Sequence, residues 1–152
     1  MQRPQALKRE QRRKKLDSTD YKAKDSDKKP TVMICDDEAD ILRLYSKFIR
    51  QRFNVLTASS GESCLTQYRK EKEQGRKIDV LVLDYRLGDM LGDAVACQIK
   101  KLNGTKTIMI SAFDLDEKML QDLRERNCIV EDLKKPVSLE NLQCVITEVL
   151  GR

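Results

Sequence analysis

Ile78-Asp79-Val80-Leu81-Val82-Leu83-Asp84 is the segment on which the fold turns. Four consecutive apolar residues, Val80 to Leu83, stop abruptly at a carboxylate. So short and unbroken a run reads as a strand buried on both faces, as at the centre of a parallel sheet. Periodicity alone does not separate it from a piece of buried helix. Its length and its β-branched valines favour the strand.

The chain on either side repeats one pattern. Upstream, residues 32–35 form a short apolar run that ends at Asp36-Asp37-Glu38. Ile41, Leu44, Tyr45, Phe48 and Ile49 then recur at amphipathic-helix spacing. Residues 54–58 read as a second strand, and residues 62–74 as a second helix carrying Cys64, Leu65 and Tyr68 and ending at Gly75. Downstream of Asp84, residues 85–92 are a loop. Leu91, Ala94, Val95, Ile99 and Leu102 outline a third helix, closed by Asn103-Gly104. Residues 107–110 are a fourth strand ending at Ser111-Ala112, and Leu115, Met119, Leu120 and Leu123 mark a fourth helix. A weaker fifth strand starts at residues 128–130, with its loop running through Leu133-Lys134-Lys135-Pro136. Leu142, Val145, Ile146, Val149 and Leu150 define the closing helix, with Ser138 as its N-cap and Glu140 in its first turn. Five strand–helix units with short connections predict an α/β fold: a parallel sheet covered by helices on both faces, with right-handed crossovers.

Composition narrows the function. The 152 residues are 39% apolar and 36% charged, enough for one soluble globular domain. No apolar stretch reaches membrane-helix length and the basic N-terminus lacks a secretory apolar segment, so a cytoplasmic location is expected. The absence of histidine removes Ser-His-Asp and Cys-His catalysis, His-ligated zinc and a phosphohistidine carrier within the chain. No G-x-x-x-x-G-K-[ST] loop occurs. Five cysteines, none in C-x-x-C spacing, read as reduced thiols in or beside apolar runs.

Charge is uneven. Residues 1–30 contain 11 Lys and Arg against 5 Asp and Glu, which leaves residues 31–152 nearly neutral although the chain carries +5. Residues 1–30 are expected to form a disordered basic tail, densest at residues 8–15 (KREQRRKK), and residues 31–152 a folded domain. Such a tail offers weak contact with nucleic acid or an anionic membrane surface.

Four of the strands end in reactive groups: Asp36-Asp37, Asp84, Ser111 and Lys135. In a doubly wound sheet, ligands bind beyond the carboxyl ends of the strands, so these groups converge on one edge. Two carboxylates about 4 Å apart repel by roughly 4 kcal/mol at an effective dielectric near 20, and three together call for a cation. Mg²⁺ suits them, because it takes oxygen ligands and typically one or two carboxylates plus phosphate. Lys135 adds positive charge, and Ser111 offers a hydroxyl donor to a phosphoryl oxygen. The set suits a phosphoryl group accepted on Asp84.

These residues resemble the receiver domain of two-component response regulators over about residues 31–152. The matching features are the acidic pair after strand one, V-L-V-L-D ending at Asp84, the Ser111-Ala112 step and Lys135-Pro136. The resemblance implies a flavodoxin-like doubly wound (βα)5 sheet of strand order 2-1-3-4-5. It implies a phosphoacceptor rather than an enzyme, taking a phosphoryl group on Asp84 from a partner histidine kinase or phosphotransfer protein, and assisting its own Mg²⁺-dependent phosphorylation and dephosphorylation. Asp37, Asp84 and the backbone carbonyl of Arg86 would hold Mg²⁺, with help from Asp36. Ser111 and Lys135 would contact the phosphate, while Arg86 and Phe113 are expected to shield it. Two positions depart from the family: Asp132 stands where an aromatic switch residue is usual, and Gly88 where proline is common. Because the closing helix ends two residues from the last position, the expectation is a stand-alone receiver that signals by phosphorylation-dependent protein contact. The alternative is a nucleic-acid-binding protein that works through its basic tail, with the domain as a regulator.

Overall fold

A computed structural model describes residues 29–102 and 104–152; the expected disordered tail lies, but for Lys29 and Pro30, outside the described residues. The strands are β1 (Thr31–Cys35), β2 (Asn54–Ala58), β3 (Val80–Asp84), β4 (Lys106–Ser111) and β5 (Glu131–Lys134). They alternate with helices α1 (Ala39–Ile49), α2 (Gly61–Glu73), α3 (Gly92–Lys101), α4 (Glu117–Glu125) and α5 (Leu139–Leu150). All strand pairs are parallel, in the order β2-β1-β3-β4-β5. This is the flavodoxin-like order that the resemblance to receiver domains implies.

The centre of the sheet explains the VLVLD run. β3 lies between β1 and β4, and all five of its residues are buried. Successive side chains point to opposite faces, which divides the apolar residues between two cores. Met33, Leu81, Leu83 and Met109 pack with Cys64, Leu65 and Tyr68 of α2, Val95, Ala96 and Ile99 of α3, and Leu120 and Leu123 of α4. Val32, Ile34, Val80, Val82, Ile108 and Ile110 pack with Tyr45 and Ile49 of α1 and with Leu142, Val145, Ile146 and Val149 of α5. Each fully buried Leu or Ile contributes on the order of 1.5–3 kcal/mol.

Helix starts are set by local chemistry. Ser60 and Ser63 form a reciprocal capping box at α2: the Ser63 amide donates to Ser60 Oγ at 3.0 Å, and the Ser60 amide to Ser63 Oγ at 3.3 Å. Ser138 caps α5 as expected, accepting from the Asn141 amide at 3.1 Å.

The end of the chain corrects one boundary. β5 is Glu131–Lys134, not the apolar residues 128–130. Among the described residues β5 is an edge strand paired only with β4, so its side chains are half-exposed and charge is tolerated. Cys128 and Ile129 are buried in the turn that precedes it, where their apolarity fills the core instead of building the strand. Asp132, which stands where the family usually has an aromatic, has a half-buried side chain ion-paired with Arg124 of α4.

Gly92 brings α3 close to β3. A Cβ at this position would lie 2.7 Å from the Asp84 carbonyl oxygen and 2.9 Å from Tyr85 Cα. Backbone yields little, so Gly92→Ala is expected to cost about 1–3 kcal/mol and to shift Asp84. At Gly61 the nearest atoms belong to the flexible side chain of Met90, the closest at 2.8 Å, and Gly61→Ala should cost less. Urea midpoints of the two variants check this order; an equal or smaller loss for Gly92→Ala would contradict it.

Candidate functional site

The register of the sheet gathers the strand ends. Cys35, immediately before Asp36, is level with Leu83; Asp84 is level with Ile110, and Ser111 with Lys134. The Lys135 amide donates to the Ser111 carbonyl at 2.8 Å, extending the β4–β5 ladder by one bond and delivering Lys135 to the sheet edge.

Lys135 is the electrostatic centre of the group. Its Nζ lies 3.0 Å from Asp36 Oδ2 and 3.4 Å from Asp84 Oδ2, joining the ends of β1 and β3. Both carboxylates are buried, with Asp36 3% and Asp84 8% exposed. The other oxygen of Asp36 accepts from the Glu38 amide at 2.9 Å, which orients it at the start of α1. The adjacent Lys134 turns outward to Asp114.

Asp84 carries the imprint of this environment. Burial pushes its carboxyl up to about 6; the Asp36 charge adds to this, Lys135 opposes it, and Asp37 raises it further. Burial alone would lower the Lys135 ammonium, but the hydrogen bond to Asp36 and the charges of Asp84 and Asp36 outweigh it and hold the value raised.

The donor chemistry fits a hard divalent cation. Asp36, Asp37 and Glu38 bring one carboxylate oxygen each within 4.8 Å of one another, with Asp37 and Glu38 exposed. Asp36 and Asp37 both act to raise the Asp84 carboxyl, after burial as the main cause, so the negative groups crowd one another beside a single lysine. Asp37 and Arg86 line one depression with Leu87, Gly88 and Met90, which places the Asp37 side of the site next to the loop carrying the Arg86 carbonyl. All of these are oxygen ligands of the kind Mg²⁺ takes.

Ser111 is buried, and its Oγ accepts from the Phe113 amide at 3.0 Å. That bond uses the oxygen as acceptor and leaves the hydroxyl proton free for donation. Phe113 is half-exposed, and the Arg86 guanidinium sits 4.1 Å from the centre of its ring. Arg86 and Phe113, each two residues beyond a reactive strand end, therefore stack in a cation–π contact that bridges the β3 and β4 loops.

Two residues went unassigned by sequence. Asp89 accepts from the Gly61 and Glu62 amides, each at 2.9 Å, so the loop after β3 caps α2 from a distance. These bonds lower the Asp89 carboxyl below its ordinary range. Glu38 joins the acidic cluster beside Asp36 and Asp37, the two residues that the resemblance implies for metal. A cap supplied across 27 or 28 residues has no signature in local spacing.

The model of the response regulator receiver domain matches residues 32–147. The transcriptional regulatory protein ZraR of Escherichia coli O157:H7 is 27% identical over 79% of this chain and 26% of its own length. The probable transcriptional regulatory protein TcrX of Mycobacterium tuberculosis is 28% identical over 80% of this chain and 50% of its own. The chain thus spans a quarter to a half of the length of these relatives. A CheY-like receiver domain from Methanospirillum hungatei JF-1 superposes with a TM-score of 0.71 at 21% identity, covering 80% of this chain and 94% of that one; at such identity the likeness speaks for the fold alone. Among the described residues no helix is long and apolar enough to cross a membrane.

Proposed function

Since the chain belongs to the response regulator receiver domain family, we propose that Asp84 is its phosphoacceptor and that a histidine kinase or phosphotransfer protein is its donor. The observation that carries this reading is the buried Lys135 ammonium held 3.0 Å from Asp36 and 3.4 Å from Asp84 at the ends of β1 and β3.

An Asp84 carboxylate oxygen attacks the donor's phosphorus, an acyl phosphate forms and the donor's P–N bond breaks. Asp36, Asp37, Asp84 and the Arg86 carbonyl would hold Mg²⁺, which when bound neutralises phosphoryl oxygens. Lys135 exchanges a carboxylate partner for a phosphoryl oxygen, and the free hydroxyl proton of Ser111 turns to another. Both contacts exist only in the phosphorylated state, so they shift the β4 and β5 loops toward a second arrangement. The domain is a phosphoacceptor that assists its own chemistry, and its output is contact with a downstream protein. Arg86 and Phe113 stack across the entrance and restrict water's approach to the acyl phosphate.

Incubation with acetyl phosphate and Mg²⁺ tests this reading. One phosphoryl group per chain is expected, labile to base, and absent when Mg²⁺ is chelated; no label, or label independent of Mg²⁺, would sink it. On the labelled protein, Arg86→Ala and Phe113→Ala are each expected to speed hydrolysis several-fold. Unchanged decay in both would remove the shielding role.

A further inference from the structure

Cys97 of α3 and Cys128 of the α4–β5 turn are 31 residues apart in sequence, yet their sulfurs lie 2.8 Å apart. Both are free thiols. The turn holds Cys128 firmly: Asn127 adopts a left-handed conformation (φ 58°), and the Cys128 amide donates to the Leu123 carbonyl at 2.8 Å. Cys128 is buried, whereas Cys97 is partly exposed at the edge of the same core. One member of the pair can therefore meet a small solute while the other waits behind it. Cys35 and Cys64 are also neighbours, but both are fully enclosed, Cys35 additionally facing the Ser60 carbonyl and Cys64 facing Met33, so neither can meet a solute first; Cys144 is exposed on α5.

We propose that Cys97 and Cys128 are an oxidation site, forming a reversible intramolecular disulfide in response to hydrogen peroxide. The Cys97 sulfur attacks one peroxide oxygen as a thiolate and the O–O bond breaks. Hydroxide leaves and takes up the proton lost by Cys97, giving water and a sulfenic acid. The Cys128 sulfur then attacks the Cys97 sulfur and the S–O bond breaks; hydroxide leaves and combines with the Cys128 proton as a second water. Two thiols and one peroxide thus give one disulfide and two waters, and a dithiol reductant reverses the change. Burial and then the neighbouring Cys128, with Asp93 adding and Arg126 opposing, push the Cys97 thiol up to about 11. Little thiolate is then present at neutral pH, so the first step is slow and the closeness of the two sulfurs favours the second. The bridge ties α3 to the segment leading into β5 and uses no residue of the Asp84 site.

The test is peptide mapping of the full chain after hydrogen peroxide, without reductant. The expected product is monomeric, about 2 Da lighter, with tryptic peptide 87–100 joined to peptide 127–134. Dithiothreitol should separate them. The melting temperature should rise by several degrees on oxidation, because a closed loop of this length restricts the unfolded chain. Cys97→Ser should abolish both changes, while Cys144→Ser should leave both intact. Because the map is made on the natural sequence, a variant that folds poorly does not decide the result. Sulfinic or sulfonic acid on Cys97 with no linked peptide, or only dimers joined through Cys144, would overturn the proposal.

Discussion

Asp84→Asn is expected to abolish phosphoryl labelling and, in the same molecule, to make the protein more stable above pH 6. Both effects come from the buried carboxylate. An amide is no nucleophile toward phosphorus, so label from a phosphodonor should fall to background. The stability effect follows from linkage. The Asp84 carboxyl sits near 6 in the folded chain, chiefly because of burial and then because of Asp36, against 3.8 for the free group. Between those values the folded state keeps a proton that the unfolded state has released. Stability contributed by this group therefore falls as pH rises from about 4 to 6 and stays low above that. With each pKa unit worth about 1.4 kcal/mol, a neutral isostere should recover on the order of 2–3 kcal/mol at pH 7.5 and almost nothing at pH 4. Urea titrations at both values, without divalent cation, measure it. Mg²⁺ should raise the stability of the natural protein more than that of the variant, because it binds the ionised carboxylate. Equal stability of the two proteins at pH 7.5 would show that Asp84 is not electrostatically strained.

Lys135→Met should have the opposite sign and a comparable size. The ammonium is the counter-ion of two buried carboxylates, and removing one partner of a buried ion group leaves charge uncompensated. The cost is expected to be about 3 kcal/mol at pH 7.5, and to shrink as pH falls and Asp84 takes up a proton. Methionine keeps much of the stem's volume, so the loss reports charge more than a cavity. Asp84→Asn in the Lys135→Met background should restore more stability than it adds to the natural protein, because it removes one of the two stranded charges. Strict additivity, or a loss independent of pH, would place Lys135 outside the electrostatic network.

How much of the site was legible in sequence varies by residue. Asp84 was plain, because a four-residue apolar run that stops at a carboxylate has few explanations. Asp36 and Asp37 followed from the same pattern at β1, but the burial of Asp36 and exposure of Asp37 did not: adjacent residues share a spacing signal and diverge only when α1 packs and its Glu38 amide claims one oxygen of Asp36. Lys135 could be told from Lys134 only by the proline after it. In the fold the two diverge fully, one onto the buried carboxylates and the other outward onto Asp114. Apolarity marks the fifth strand three residues too early, at Cys128 rather than Glu131. At an edge, hydrogen bonding to β4 defines the strand, and Glu131 and Asp132 pair as well as valine would.

Sequence alone therefore determined the alternation of strands and helices, the central place of VLVLD, and which strand ends carry reactive groups. These depend on burial periodicity and abrupt polarity changes, which are properties of consecutive residues. Tertiary structure alone decided the distances: the ammonium between two carboxylates, the Arg86–Phe113 stack, the Asp89 cap on α2 and the approach of Cys97 to Cys128. Each of these joins side chains from separate elements. Their proximity is set by sheet register and helix packing, and no local spacing encodes either.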